Sequence, residues 1–90
     1  MEVLKIINHY GEKHQIKKLA EEQFELIEAL LEKDKEHIKE EIADNIHIMW
    51  QFMAYYDLSI TEVLDEVERK NKRTLRRMED QWKYLAKKNL

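Results

Sequence analysis

Residues 19–46 read LAEEQFELIEALLEKDKEHIKEEIADNI, two segments with helical periodicity joined by a short polar turn. Asp34 can cap the second segment, because an aspartate side chain accepts the free N–H groups of a first helical turn. The stretch therefore predicts two antiparallel helices, over about 13–33 and 35–56, joined by a tight turn. In the first helix, apolar residues recur at the i, i+3, i+4, i+7 spacing of an amphipathic helix. This apolar stripe consists of Ile16, Leu19, Ala20, Gln23 or Phe24, Ile27, Leu30 and Leu31.

The rest of the chain is also predicted to be helical. It contains no proline and one glycine, Gly11, which is suited to a left-handed cap after a first helix over roughly 2–10. Ser59 and Glu62 have the spacing of a capping box, which starts a long fourth helix over about 60–88. We predict an all-α fold, an antiparallel bundle of three to four helices in a single domain of residues 1–90. Since 90 residues bury a modest core, oligomerisation is expected to complete the bundle.

Composition narrows the class of protein. The absence of cysteine excludes disulfides and thiolate zinc sites, and no apolar run approaches the length of a membrane span. A cytoplasmic protein without membrane or nucleic-acid partners is expected. Residues 21–44 hold ten acidic residues against three lysines, whereas residues 69–90 hold nine basic residues against two acidic ones. Such a chain can bind a cation and a polyanion side by side.

Five carboxylates in the acidic half suggest where a cation would bind. Glu22 and Glu25, and likewise Glu41 and Asp44, are three residues apart, so each pair lies about 60° apart in helical projection. If the two helices are antiparallel, the pairs face each other and form an oxygen-only site that suits Mg²⁺ or Mn²⁺. The alternative is a solvated glutamate face, which is common on helices. Glu21 lies outside the four-carboxylate set and has at most an assisting role.

The motif Glu21-Glu22-x-x-Glu25, fifteen residues, then Glu41-x-x-Asp44 resembles the signature of the MazG-like, all-α nucleoside triphosphate pyrophosphohydrolases. The likeness extends over about 10–79 and is greatest to short, phage-type members. It implies a homodimer or homotetramer and a Mg²⁺ ion, replaceable by Mn²⁺, held by Glu22, Glu25, Glu41 and Asp44. The implied reaction is cleavage of a (deoxy)nucleoside triphosphate between its α and β phosphates, a nucleotide-pool housecleaning activity. One of these four carboxylates, or Glu21, would act as the base through water.

Members of this family usually carry basic and amide side chains on the helix after the acidic site. The matching group here is Lys70, Asn71, Arg73 and Arg76. The resemblance gives this group the role of binding the substrate phosphates. The competing interpretation is a basic face exposed to solvent, with ion pairs such as Glu66 to Lys70.

Several questions stay open at this stage. Asn45 is interpreted either as a buried structural amide or as a reader of a base edge, and Trp50 either as core or as a stacking partner for a base. Phosphoribosyl-ATP pyrophosphatase is an alternative function, since residues 17–22 look similar to that enzyme. A noncatalytic helical interaction module is another. The preferred base and sugar, the number of metal ions and the choice between dimer and tetramer are not determined.

Overall fold

A computed structural model describes residues 2–88, which form four helices and no β-strand. The helices are α1 (Glu2–Tyr10), α2 (Glu12–Glu32), α3 (Lys35–Tyr55) and α4 (Ile60–Lys88). The all-α prediction is confirmed, and each predicted helix end lies within about one residue of the observed one. The helices group into two compact units, residues 2–58 and 59–88. A single domain over residues 1–90 stays a prediction.

Short local contacts start α3 and α4 where the sequence predicts. The Asp34 carboxylate accepts hydrogen bonds from the backbone N–H groups of Glu36 and His37, at 3.1 and 3.4 Å. Ser59 and Glu62 form the reciprocal capping box, with distances of 2.8 and 3.1 Å. These contacts satisfy N–H groups that have no partner within the helix, so they fix where each helix begins.

Residues with positive φ make the turns between the first three helices. Gly11 has φ 92° and ψ 153°, outside the left-handed helical region expected for it, and its N–H donates to the carbonyl of Ile7 at 2.8 Å. Lys33 takes the left-handed conformation, with φ 61°, and its N–H donates to the carbonyl of Ala29 at 3.0 Å. Both turns are tight enough to set α2 against its neighbours directly.

The first unit packs α1, α2 and α3 against one another, with an interior that is largely polar. Its buried apolar residues are Ile7, Ala29 and Ile48. Its buried polar residues are Gln15, Glu22, Glu41, Asn45 and Gln51. On α2 the buried positions repeat every seven residues, so one row of that helix faces inward and it carries Glu22. The packing of α2 on α3 therefore places carboxylates and amides between the helices.

The apolar stripe of α2 does not face this interior. Phe24 is 62% exposed and Leu31 is 77% exposed, and Ile16, Ile27 and Leu30 are also more than half exposed. On α3, the side chains of Ile42, Ile46 and Met49 are exposed as well. Each of the two helices therefore presents a row of apolar side chains outside the three-helix unit.

The second unit is α4 alone, 29 residues long with no buried residue. Ion pairs within the helix join Glu66 to Arg69, and Lys72 to Glu68 at 3.9 Å. Along residues 2–88, no helix combines the length and the low polarity that crossing a lipid bilayer requires.

Candidate metal centre

Three of the predicted carboxylates meet between α2 and α3. Glu22 comes from the inward row of α2, and Glu41 and Asp44 come from one face of α3, three residues apart. One oxygen from each of the three lies within 4.8 Å of the others. We call this group, Glu22, Glu41 and Asp44, the acidic cage. It is the cluster expected from the two three-residue spacings, without Glu25.

Two members of the acidic cage are buried with one oxygen unpaired. The exposed fraction is 5% for Glu22 and 7% for Glu41, while Asp44 is exposed. The Oε2 atoms of Glu22 and Glu41 have no hydrogen-bond partner among the described residues. A buried carboxylate oxygen without a donor is energetically costly, and two beside each other also repel. A divalent cation would relieve both costs, so the residues present fit a metal site.

The other oxygen of each buried glutamate faces a basic side chain four residues earlier on its own helix. Lys18 Nζ lies 3.2 Å from Glu22 Oε1, and His37 Nε2 lies 3.4 Å from Glu41 Oε1. The second ring nitrogen of His37 lies 3.2 Å from Glu32 Oε2 at the end of α2. Lys18 and His37 therefore pair with the Oε1 atoms of Glu22 and Glu41 and leave the two Oε2 atoms without a partner.

The raised pKa of Glu41 agrees with a site that has too little positive charge to balance its carboxylates. Burial raises the pKa of Glu41 above its ordinary value, followed by the close approach of the Glu22 carboxyl group and by the charges of Glu25, Glu22 and Asp44. The side chain of His37 is 36% exposed and is also paired with Glu32, so it does not offset the effects of burial and of the neighbouring carboxylates. A divalent cation in the cage would favour the ionised form of Glu41.

Asn45 holds the two helices together beneath the cage. Its Nδ2 donates to the carbonyl oxygen of Glu41 at 2.7 Å and to the carbonyl oxygen of Glu22 at 3.0 Å, and the residue is 4% exposed. The structural interpretation of Asn45 is therefore favoured over base reading. Trp50, by contrast, is 47% exposed and does not belong to the interior of this unit.

The remaining acidic candidates lie outside the cage. Glu21 and Glu25 are exposed. Glu25 is still close enough for its charge to raise the pKa of Glu41 and of Lys18. It lies one turn from Glu22 on the same helix, so a rotamer change could bring its carboxylate toward the cage.

The predicted phosphate-binding group lies on α4. Lys70, Asn71, Arg73 and Arg76 are all exposed, and Lys70 Nζ is 3.9 Å from Glu66 Oε1. These residues share one helix with the ion pairs that the solvated-face interpretation expects. Their role toward a substrate stays a prediction.

Sequence reasoning did not find every residue around the cage. Lys18 and His37 each precede a cage glutamate by four residues, and this spacing was the signal available for both. The buried pair Gln15 and Gln51, whose side chains are hydrogen bonded at 2.7 Å, had no comparable signal.

Comparison with known proteins adds one finding to this geometry. No curated protein and no solved structure matches the chain. A family model, the MazG nucleotide pyrophosphohydrolase domain, matches residues 10–78. The match covers most of the chain. It includes all of α2 and α3, and with them the three cage residues, and more than half of α4. This protein belongs to the MazG nucleotide pyrophosphohydrolase domain family.

Proposed function

We propose that the protein is a Mg²⁺-dependent pyrophosphohydrolase that cleaves a (deoxy)nucleoside triphosphate between its α and β phosphates. The observation that carries this proposal is that Glu22 and Glu41, each with a buried, unpaired oxygen, belong with Asp44 to a cluster in which one oxygen of each carboxylate lies within 4.8 Å of the others. Family membership supports the reaction class. The preference for Mg²⁺ rests on the all-carboxylate donor set, with Mn²⁺ as a substitute.

The four carboxylates of the motif have distinct proposed roles. Glu22, Glu41 and Asp44 would hold the ion, and Glu25 would join them from the next turn of α2. When bound, Mg²⁺ would offset the charge of the triphosphate and lower the pKa of a bound water. Asn45 keeps the backbone segments that carry Glu22 and Glu41 at a fixed separation.

Glu21 is the proposed proton acceptor, because the other motif carboxylates are assigned as ligands. It would take a proton from the attacking water. The water oxygen forms a bond to the α phosphorus as the bond from that phosphorus to the bridging oxygen breaks. The products are a nucleoside monophosphate and pyrophosphate. Lys70, Asn71, Arg73 and Arg76 are proposed to bind the phosphate oxygens, since phosphoryl transfer depends mainly on positioning and charge.

We propose further that the active form is a homodimer or homotetramer. The exposed apolar rows of α2 and α3 and the wholly exposed α4 support this, since a monomer rarely leaves so much apolar surface in water. A soluble, cytoplasmic location and a nucleotide-pool housecleaning role complete the proposal.

Product analysis tests the reaction directly. The full chain is incubated with Mg²⁺ and a panel of NTPs, dNTPs and phosphoribosyl-ATP, and pyrophosphate is measured. In ¹⁸O-labelled water, the label should appear in the monophosphate, because attack is at the α phosphorus. Hydrolysis of phosphoribosyl-ATP alone would favour the phosphoribosyl-ATP pyrophosphatase alternative.

A matched pair of variants ties the activity to the cage. Glu41→Gln is expected to lower kcat by about a hundredfold or more, since it removes a proposed metal ligand. Glu28→Gln changes an exposed glutamate on α2 and should leave activity unchanged. The absence of pyrophosphate with every nucleotide, or full activity of Glu41→Gln, would contradict the proposal and favour a noncatalytic helical module.

A further inference from the structure

A cavity of about 470 Å³ opens on the surface of the first unit, beside the acidic cage. Side chains of α1, α2 and α3 line it. Lys18 belongs to this lining and its Nζ also lies 3.2 Å from Glu22 Oε1, so the cavity and the cage adjoin. The cavity is much larger than the roughly 30 Å³ that one water molecule takes up in the liquid, so it can hold a ligand of many atoms.

The ionisable groups of the cavity wall are mostly basic. His14, Lys17 and Lys18 come from α2, and His47 comes from α3. Among the described residues that line the cavity, Glu21 is the one acidic side chain. The four residues from α2 have the i, i+3, i+4, i+7 spacing of one helical face. All five side chains are exposed, so their charged groups can contact a ligand in the cavity, and the excess of basic groups favours an anion.

The neutral polar groups of the wall are paired with one another. Gln15 Nε2 donates to Gln51 Oε1 at 2.7 Å, and Gln15 Oε1 lies 2.7 Å from His14 Nδ1. Because an amide oxygen only accepts, His14 Nδ1 carries the proton in this contact. Gln15 and Gln51 are 4% and 1% exposed, so they support the wall from behind.

These contacts hold His14 in place before any ligand binds. Its Nδ1 is taken up by Gln15, and the ring of Tyr10 stacks on its ring with centroids 5.0 Å apart. The other ring nitrogen, Nε2, is the atom left for a ligand, and it donates when the ring is protonated. A side chain that is already oriented loses less freedom on binding, which favours recognition of an anion here.

We propose that this cavity binds a diphosphate group, with Lys17, His14 and His47 as donors. Lys18, at the boundary with the cage, would contact the same group. Ammonium and protonated imidazole groups form short, charge-assisted hydrogen bonds to phosphate oxygens. Donors on two helices, α2 and α3, suit two phosphate groups rather than one. The diphosphate is either the terminal part of a nucleotide or free pyrophosphate, and the proposal rests on the proposed function only for the first of these sources.

Calorimetric titration with sodium pyrophosphate tests the site without metal or nucleotide. The full chain should bind pyrophosphate, and Lys17→Gln should raise Kd by about tenfold or more, since it removes a charged donor. Lys13→Gln removes the same charge from an exposed position of α2 that does not line the cavity, and it should change Kd by less than about twofold. The absence of binding, or equal weakening in both variants, would overturn the proposal.

The histidine rings show whether the ligand occupies this cavity. In NMR spectra of ¹⁵N-labelled protein, the ring signals of His14 and His47 should shift during titration with pyrophosphate. The signals of His9, which does not line the cavity, should shift less. Uridine and adenosine carry no phosphate and should leave the His14 and His47 signals unchanged. Shifts caused by these nucleosides but not by pyrophosphate would show that the cavity holds a base, and would overturn the proposal.

A nucleotide that cannot be cleaved identifies the source of the diphosphate. With Mg²⁺ present, the α,β-methylene analogue of dUTP should shift the His14 and His47 signals as pyrophosphate does, because the cavity adjoins the cage. Shifts with pyrophosphate alone would support the diphosphate site and assign it to the free anion. Pyrophosphate binding without hydrolysis of any nucleotide supports this site and contradicts only the proposed function. Hydrolysis by a protein that does not bind pyrophosphate contradicts only the diphosphate site.

Discussion

Asn45 donates a hydrogen bond of 3.0 Å to the backbone carbonyl oxygen of Glu22, across the interface between α3 and α2. The same nitrogen donates to the carbonyl of Glu41 at 2.7 Å, one turn earlier on α3. A single buried amide therefore ties together the backbone positions of both buried glutamates. The separation of the two carboxylates depends on this contact as well as on helix packing.

Asn45→Ala should destabilise the protein by about 1–3 kcal/mol, because it removes a buried donor with two acceptors and leaves a small cavity. Urea denaturation at fixed protein concentration measures the loss. The matched control is Asn71→Ala, since Asn71 is exposed on α4 and its change should be within about 0.5 kcal/mol. Equal effects of the two substitutions would mean that the Asn45 contacts contribute little.

Mg²⁺ or Mn²⁺ should raise the thermal stability of the wild-type protein, since a ligand that binds only the folded state stabilises it. At a metal concentration a hundred times Kd the gain is about 2.7 kcal/mol. Differential scanning calorimetry with increasing metal measures it. Asp44→Asn should abolish the response, whereas Glu28→Gln should retain it. A similar response in both variants would indicate nonspecific binding to the acidic surface.

Glu41→Gln should stabilise the metal-free protein at pH 7. The pKa of Glu41 is raised above 4.5, mainly by burial, so the folded state binds this proton more tightly than the unfolded state. Its cost to stability is absent below about pH 4.5 and grows as pH rises through the raised pKa. Free energies of unfolding at pH 4 and pH 7 with a chelator present measure the difference. A variant that is less stable than wild type at pH 7 would show that the paired His37 outweighs the carboxylates.

His37 should contribute stability at low pH. Its pKa is raised above 6.5, first by the hydrogen bond to Glu32, and this contribution is complete below about pH 6.5. It is lost as pH rises through the raised pKa. His37→Gln should therefore be less stable than wild type at pH 6 and approach it by pH 9. His9→Gln, at an exposed position of α1, serves as the control and should show no such convergence.

Ile46→Lys should weaken self-association, because it places a charge in the exposed apolar row of α3. Sedimentation velocity over a range of concentrations should show a shift toward the monomer. Glu40→Lys introduces the same residue at an exposed polar position of α3 and should leave the distribution as in wild type. A wild-type protein that is monomeric at all concentrations would contradict the proposed oligomer.

Sequence periodicity located the helices well but did not identify the row of α2 that faces the interior. Amphipathic analysis assumes that the apolar side of a helix faces the interior of its own chain. In the structure Glu22 lies in the buried row and Phe24 is exposed. The assumption fails here because the interior of the three-helix unit contains the acidic cage, so apolar residues lie outside it. Glu25 was predicted to belong to the cage but is exposed in this structure. It lies three residues after Glu22, which turns it about 60° in projection away from the buried row of α2.

The sequence by itself determined the helices and their limits, because caps at Asp34 and at Ser59 with Glu62 act within four residues of the chain. It also determined the candidate acidic residues, since three-residue spacing on a helix fixes which carboxylates share a face. Only the tertiary structure decided which of these carboxylates lie close together and which of their oxygens have no hydrogen-bond partner. The approach of Glu22 to Glu41, the hydrogen bond from Asn45 to Glu22, and the hydrogen bond between Gln15 and Gln51 join residues far apart in sequence. Such contacts depend on the rotation of α2 against α3, and local spacing does not specify that rotation.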